Sequence, residues 1–165
     1  MAESIKLTVN QEAYLRMQGV MAIIDRARDL ELARIGLNVP QAQVLYCLNE
    51  AKVRNKPMTP MMLSRVLHKQ PHTISALVHR METHGLVSTK KDMKRKNWVR
   101  VSLTKDGEKA LKRWANATEV PDIVSCLSKK ETEAMYSGAR KLHAKSLELL
   151  RKMQPSPFDT ERFLW

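Results

Sequence analysis

The stretch that most constrains the fold runs from residue 58 to residue 107, where two short helices and a hairpin follow one another without a long linker. Each predicted helix has a proline in its first turn, where a missing amide hydrogen is tolerated, and Thr59 precedes the first helix as a cap. Gly85 can end the second helix in a left-handed conformation. The apolar residues at helical spacing are Leu63, Val66 and Leu67 in the first helix and Ile74, Leu77, Val78 and Met81 in the second. This pattern predicts a helix-turn-helix.

The second helix carries small and polar residues on the side opposite its apolar stripe. Side chains of this kind suit a DNA major groove, because they reach base edges without a bulky obstacle. A face that simply meets solvent has the same composition, so the pattern alone leaves both interpretations open. The candidate DNA-contacting residues on this helix and at its start are Gln70, His72, Thr73, Ser75, Ala76 and His79.

A strongly basic hairpin is predicted directly after the second helix. Residues 86–89 favour one strand and residues 99–103 favour another, because apolar and polar side chains alternate in the second segment. The tip between them holds Lys94, Arg95 and Lys96, cations that can neutralise phosphates and release counterions. A charged run is often only a solvated loop, but its place after a helix pair favours a nucleic acid as the partner. Together these elements predict a winged helix-turn-helix that binds double-stranded DNA.

Composition and charge narrow the class of protein. A chain of 165 residues that is 43% hydrophobic can form one domain with its own core, so we expect a single domain over residues 1–165 with a winged core at about 38–104. The formal net charge of +12 favours an anionic partner. A membrane is not expected to be that partner, because Arg16, Asp25 and Arg26 interrupt the N-terminal apolar region. We therefore expect a cytoplasmic protein.

The two cysteines, Cys47 and Cys126, both have apolar neighbours and form no CxxC or Cys/His pattern. We expect both to be buried structural thiols in a reducing compartment. A redox sensor needs an accessible thiolate with a lowered pKa, and these surroundings do not favour one.

Long helices are predicted on both sides of the winged core, at about residues 11–36 and 128–153. The second of them opens with a capping box, in which Ser128 and Glu131 satisfy each other's backbone amides. Its small and apolar residues then recur by fours and threes, at Met135, Ala139, Leu142, Ser146, Leu149 and Met153. A seam of this spacing packs against another helix, so the end helices favour a homodimer. The alternative is that the two helices pack on each other within one subunit.

These elements, in this order, resemble the MarR family of transcriptional regulators. The resemblance covers nearly the whole chain and rests on residues 59–67, 73–82, 85–87 and 99–107, the last of which contains the pattern Leu-Thr-x-x-Gly. It implies a mainly α-helical fold with a small β-hairpin wing and long N- and C-terminal dimerisation helices. The function it implies is that of a transcription factor, which we expect to be a homodimeric repressor of a pseudo-palindromic operator.

The sequence departs from the family pattern at two places. The family's wing usually reads Asp-x-Arg-Asp-x-Arg, whereas residues 92–97 keep the first acid, lose the second and end in Asn97. Arg95 or Lys96 can take the role of the missing arginine, because a narrow minor groove attracts any cation that reaches it. The helix-turn-helix turn also lacks the common glycine and has His68 in its place.

The resemblance further implies a small aromatic or phenolic effector, bound between the dimerisation helices and the winged core. The candidate residues for such a cleft are Met17, Met21, Tyr46 and Trp114, with Met61 and Met62 nearby. Methionine adapts well to binding surfaces, although methionines at helical spacing are more often ordinary core residues.

Other classes of function are less well supported by the residues. No glycine-rich phosphate loop, serine elbow or acidic cluster is present, so neither an enzyme nor a bound cofactor is expected. His68, His72, His79 and His84 lie close together in sequence, but no cysteine and few carboxylates accompany them, so we expect no metal site. The alternative function is a sequence-neutral architectural DNA-binding protein, which needs the positive charge but no groove-reading helix.

Overall fold

Helices form most of the molecule, and one antiparallel hairpin interrupts them. The computed structural model describes residues 6–91, 99–117 and 120–153. In these residues the elements are α1 (Val9–Arg34), α2 (Val39–Val53), α3 (Pro60–Val66), α4 (Pro71–Thr83), β1 (Val87–Lys91), β2 (Val99–Leu103), α5 (Lys105–Ala115), a 3-10 helix (Pro121–Cys126) and α6 (Lys129–Met153). The predicted fold class, mainly α with a small hairpin, is confirmed.

Side-chain caps explain where several of these helices begin. The hydroxyl of Thr59 accepts a hydrogen bond from the amide of Met62 at 3.2 Å, which fixes the start of α3. Ser128 and Glu131 form the predicted capping box at the start of α6. Helix α1 begins at Val9, two residues before the expected position, because Thr8 caps it.

The hydrophobic core lies beneath the helix pair and the hairpin. All four apolar residues predicted on the stripe of α4 are buried, and Met81 is fully inaccessible. They share one cluster with residues of α2, α3, α5 and both strands, among them Leu45, Leu63, Val87, Val101 and Ala110. Burial of this stripe fixes which side of α4 faces outward.

The hairpin pairs Val87 with Leu103 at its base and Lys91 with Val99 at the end of the described strands. Strand β1 begins one residue later and ends two residues later than the sequence predicted. The amide of Val101 also donates to the carbonyl of Met58 at 2.9 Å, which ties the hairpin to the segment before α3.

The turn between α4 and β1 is tightly packed. Gly85 has the left-handed backbone expected of it, with φ of +70°. A Cβ atom on Gly107 would lie 2.0 Å from the carbonyl oxygen of Leu86, so the first turn of α5 lies directly against this segment.

The prediction for the cysteines is right for Cys47 and wrong for Cys126. Cys47 is buried in α2, and that burial raises the pKa of its thiol to about 11. Cys126 is exposed, because it lies in the 3-10 helix, which buries none of its six residues. Apolar neighbours in the sequence therefore did not predict the burial of this thiol correctly.

Within the described residues, no helix combines the length and the apolar character needed to cross a membrane.

Replacing Gly107 by alanine tests the packing of α5 against the turn. The new methyl group would clash with the Leu86 carbonyl, and the backbone shift that makes room for it costs about 1–3 kcal/mol. We expect the free energy of unfolding, measured in urea, to fall by about that amount. Gly138→Ala is the matched control, because a Cβ atom there would meet no neighbouring group of the described residues within 4 Å and alanine favours a helix. Equal stability of the two variants would contradict the packing described for Gly107.

Candidate nucleic-acid interface

The exposed face of α4 is the centre of the candidate interface. His72, Ser75 and His79 are spaced by three and four residues, so they follow one another along a single side of the helix. All three side chains are exposed, as are those of Thr73 and Ala76. The face therefore offers a row of small and polar groups about two helical turns long.

The start of α4 adds a further exposed polar group. Gln70 is the N-cap residue, but its side chain makes no capping hydrogen bond. Pro71 occupies the first helical position, where no amide hydrogen is needed. The amide group of Gln70 is thus not used to cap the helix that it precedes.

The turn before α4 has a backbone that the sequence could not define. His68 adopts a left-handed conformation, with φ of +50°, which is uncommon for a residue other than glycine. The amide of Lys69 donates to the carbonyl of Ser64 at 3.0 Å and closes the turn. His68 therefore combines a left-handed backbone with an exposed side chain.

The described part of the hairpin, which follows α4 in the chain, carries exposed cations. Lys90 and Lys91 lie at the end of β1, and Arg100 lies on β2. The three tip residues predicted to contact DNA, Lys94, Arg95 and Lys96, lie outside the residues that the structure describes.

A carboxylate ties α4 to the hairpin. Oε1 of Glu82 accepts hydrogen bonds from the backbone amide and from the hydroxyl of Thr89, both at 2.7 Å. The pKa of Glu82 lies below its usual value, chiefly because of the hydrogen bonds from the hydroxyl and then from the backbone amide of Thr89. The nearby His79 lowers this pKa by a smaller amount. Sequence reasoning missed this residue, because its partner lies seven positions away across the turn at Gly85 and no helical or strand period links the two.

A second tie closes the other side of the same turn. The hydroxyl of Thr104 donates to the carbonyl of Gly85, and the amide of Thr104 donates to the carbonyl of Leu86 at 3.2 Å. The same hydroxyl accepts from the amide of Gly107 at 3.0 Å and caps α5. The contact of Thr104 with the turn spans 19 positions of the chain, so no local pattern in the sequence signals it.

The candidate effector residues are brought together only in part. Tyr46 and Trp114 form an edge-to-face aromatic pair, with ring centroids 6.3 Å apart and an interplanar angle of 81°. Met17 and Met21 lie on the exposed part of α1, with 42% and 46% of their surface accessible. A cleft of about 350 Å³ opens elsewhere, between α2, β2 and α5, and none of these four residues lines it.

Among the described residues, no group of three or more histidine, cysteine, aspartate or glutamate side chains is arranged to hold a metal ion.

Comparison with known proteins gives structural neighbours but no sequence match. No family model matches the chain, and no curated protein is similar enough in sequence to match it. The organohalide-sensing transcriptional regulator RdhR-CbdbA1625, in its ligand-free form, is 25% identical, with a TM-score of 0.73 over 93% of this chain and 92% of that chain. Its 2,4-dichlorophenol-bound form is 24% identical with the same TM-score and coverage.

Two further neighbours extend the comparison. AbsC, a MarR family transcriptional regulator from Streptomyces coelicolor, is 19% identical, with a TM-score of 0.75 over 88% of this chain and 99% of that chain. MepR from S. aureus, solved as a complex with DNA, is 21% identical, with a TM-score of 0.71 over 85% of this chain and 99% of that chain. At these identities the likeness to AbsC and MepR establishes a shared fold.

The lowered pKa of Glu82 predicts a pH dependence of stability. A carboxyl group whose pKa is lower in the folded state contributes stability above its unfolded pKa and loses it as the pH falls through the folded value. We expect Glu82→Gln to be less stable than the wild type at pH 7, with a difference that shrinks as the pH falls below about 4. Urea unfolding of both proteins between pH 7 and about pH 3.5 measures this. A difference that does not change with pH would contradict an ionised Glu82 at the Thr89 contact.

Proposed function

We propose that this chain, which has the winged-helix fold of the MarR family of transcriptional regulators, is a sequence-specific DNA-binding regulator. The observation that carries the proposal is the exposed polar face of α4, which its buried stripe turns outward and which a hairpin with exposed cations follows. We further propose that it acts as a homodimeric repressor in the cytoplasm and binds a pseudo-palindromic operator.

In this proposal α4 enters the major groove. His72, Ser75 and His79 meet base edges or nearby phosphates, with Gln70, Thr73 and Ala76 beside them. A neutral imidazole can donate or accept a hydrogen bond, and a serine hydroxyl can do both, so these groups can distinguish base pairs. The side chains are short enough for the helix backbone to approach the groove closely.

The hairpin contacts the DNA backbone. The residues that we propose to contact a phosphate or the adjacent minor groove are Lys94, Arg95 and Lys96. Lys90 and Lys91 of β1 precede them in the chain. Such contacts set the register and the affinity, whereas base contacts select the sequence. The fold shared with MepR, which was solved with DNA, supports this role.

The end helices support the proposal of a homodimer. Helix α1 buries only Glu31 and Leu32, although it is 26 residues long. Large apolar side chains are exposed on both end helices, including Leu15, Val20 and Ile23 on α1 and Met135, Leu142 and Leu149 on α6. A soluble monomer rarely exposes apolar surface on this scale. We therefore propose that a second copy of the chain buries these side chains in a dimer interface.

A small aromatic effector remains part of the proposal. RdhR-CbdbA1625, one of the structural neighbours, was solved with 2,4-dichlorophenol bound. The edge-to-face pair of Tyr46 and Trp114 gives this chain an aromatic surface between α2 and α5, and Met17 and Met21 are accessible on α1. We propose that dimerisation completes a cleft from these groups, and that a ligand in it changes the affinity for DNA.

Substitution of His79 tests the groove-reading role. If His79 contacts a base edge, His79→Ala changes the preferred sequence at one position of each half-site and leaves the salt dependence of binding nearly unchanged. Selection of duplexes from a random-sequence pool measures this, with His143→Ala on α6 as the control. A uniform loss for all duplexes would assign His79 to phosphate contact. Selection of no preferred sequence by the wild type would favour the architectural alternative.

Substitution of Leu142 tests the dimer. A charge in the seam of α6 cannot be buried without a large cost, so Leu142→Glu should convert the dimer into a monomer at micromolar concentration. The control is Lys141→Glu, which places the same side chain at a neighbouring position outside the seam. Mass measurement by light scattering after size exclusion checks both. A Leu142→Glu protein with the mass of the wild-type dimer would rule out α6 as the interface.

A further inference from the structure

We propose that Glu82 is a positioning residue for DNA binding, which holds strand β1 and its exposed lysines in place beside the groove-facing side of α4. The inference rests on the proposed function and adds to it a residue that does not itself contact DNA. It concerns the pair Glu82 and Thr89, which joins the two elements that must contact the DNA together.

The tie is short and charge-assisted. One carboxylate oxygen receives both the amide and the hydroxyl of Thr89 at 2.7 Å, and both side chains are half-buried. Hydrogen bonds to an ionised acceptor are roughly twice as strong as those between neutral groups. Lys90 and Lys91 follow Thr89 directly, so the tie reaches the point where the exposed cations of β1 begin.

Backbone bonds near the turn fix the base of β1. The amide of Gly85 donates to the carbonyl of Glu82, and the amide of Leu86 donates to the carbonyl of Met81, both at 2.9 Å. Beyond this base β1 is paired with β2, and two strands alone make a weak ribbon. The carboxylate of Glu82 therefore supplies a direct link from α4 to the middle of the strand.

The charge of Glu82 works against DNA binding, and this separates positioning from simple electrostatics. A carboxylate beside a surface that meets phosphates repels them, so its removal by itself strengthens binding. Loss of the positioning hydrogen bonds has the opposite effect and weakens DNA binding, because the lysines of β1 are then less well held beside the groove-facing side of α4. The direction of the change in affinity thus identifies the role.

Three variants at the tie give the test. Glu82→Ala removes both the charge and the acceptor, Glu82→Gln removes the charge but keeps an acceptor, and Thr89→Val removes only the hydroxyl donor. We expect Glu82→Ala to bind a duplex several-fold more weakly than the wild type, Glu82→Gln to bind at least as tightly, and Thr89→Val to fall between Glu82→Ala and the wild type.

The matched control is Glu131→Ala. Glu131 accepts from the amide and the hydroxyl of Ser128 at 2.9 Å and 2.6 Å, so the variant removes the same charge and the same two kinds of bond at the start of α6. Its affinity for DNA should equal that of the wild type. Urea unfolding of each variant gives its folded fraction, and Thr89→Val keeps the test usable if Glu82→Ala does not fold.

Substitution of Lys90 and Lys91 separates positioning from a general loss of stability, because it measures whether these lysines still contribute to the salt dependence of DNA binding. Lys90→Ala with Lys91→Ala should lower the slope of log affinity against log salt by up to about 1.8 in the wild-type background, since each phosphate contact contributes about 0.9. In the Glu82→Ala background the same substitutions should have a much smaller effect.

The outcomes separate this inference from the proposed function. Tighter binding by Glu82→Ala, or full additivity with the lysine substitutions, would overturn the positioning role while DNA binding stands. Absence of any salt-dependent duplex binding by the wild type would overturn both.

Discussion

Burial of one side of α4 is the interaction on which the rest of the structure depends. The side chains of α4 that pack into the core shared by α2, α3, α5 and the hairpin are Ile74, Leu77, Val78 and Met81. Rotation of the helix about its axis would expose some of them to solvent. The same constraint turns His72, Ser75 and His79 outward, because they lie on the opposite side. An exposed polar face on α4 is therefore a direct consequence of the buried apolar stripe. The helix cannot bury one side without presenting the other.

The wing depends on that helix through a compact joint. Gly85 reverses the chain, Glu82 and Thr89 link α4 to β1, and Thr104 links the turn to the start of α5. Gly107 allows α5 to approach the backbone of Leu86. Three elements thus meet at one turn, so the basic hairpin has a fixed origin relative to α4. The exposed apolar side chains of α1 and α6 lie outside this core.

Features that depend on local patterns were predictable from the sequence, and features that depend on distant contacts were not. The stripe of α4, the caps at Thr59 and Ser128, and the alternation in β2 each follow from a spacing within a few residues, and the structure bears them out. The resemblance to the MarR family is likewise confirmed by structural neighbours. The bond from Glu82 to Thr89 crosses a turn, and the left-handed backbone of His68 reflects the closure of its turn, so neither has a periodic signal. Cys126 has apolar neighbours that do not reach the core, which misled the prediction of its burial.

The most direct test of sequence-specific binding is a footprint of the purified protein on the DNA upstream of its own gene, at near-physiological salt with excess competitor DNA. If the chain is a dimeric sequence-specific regulator, the footprint is a protected, two-fold symmetric site whose half-sites lie about one helical turn apart, because the two α4 helices of the dimer enter successive major grooves. Uniform, salt-sensitive coating with no preferred site, on that DNA and on a random-sequence pool, would contradict it.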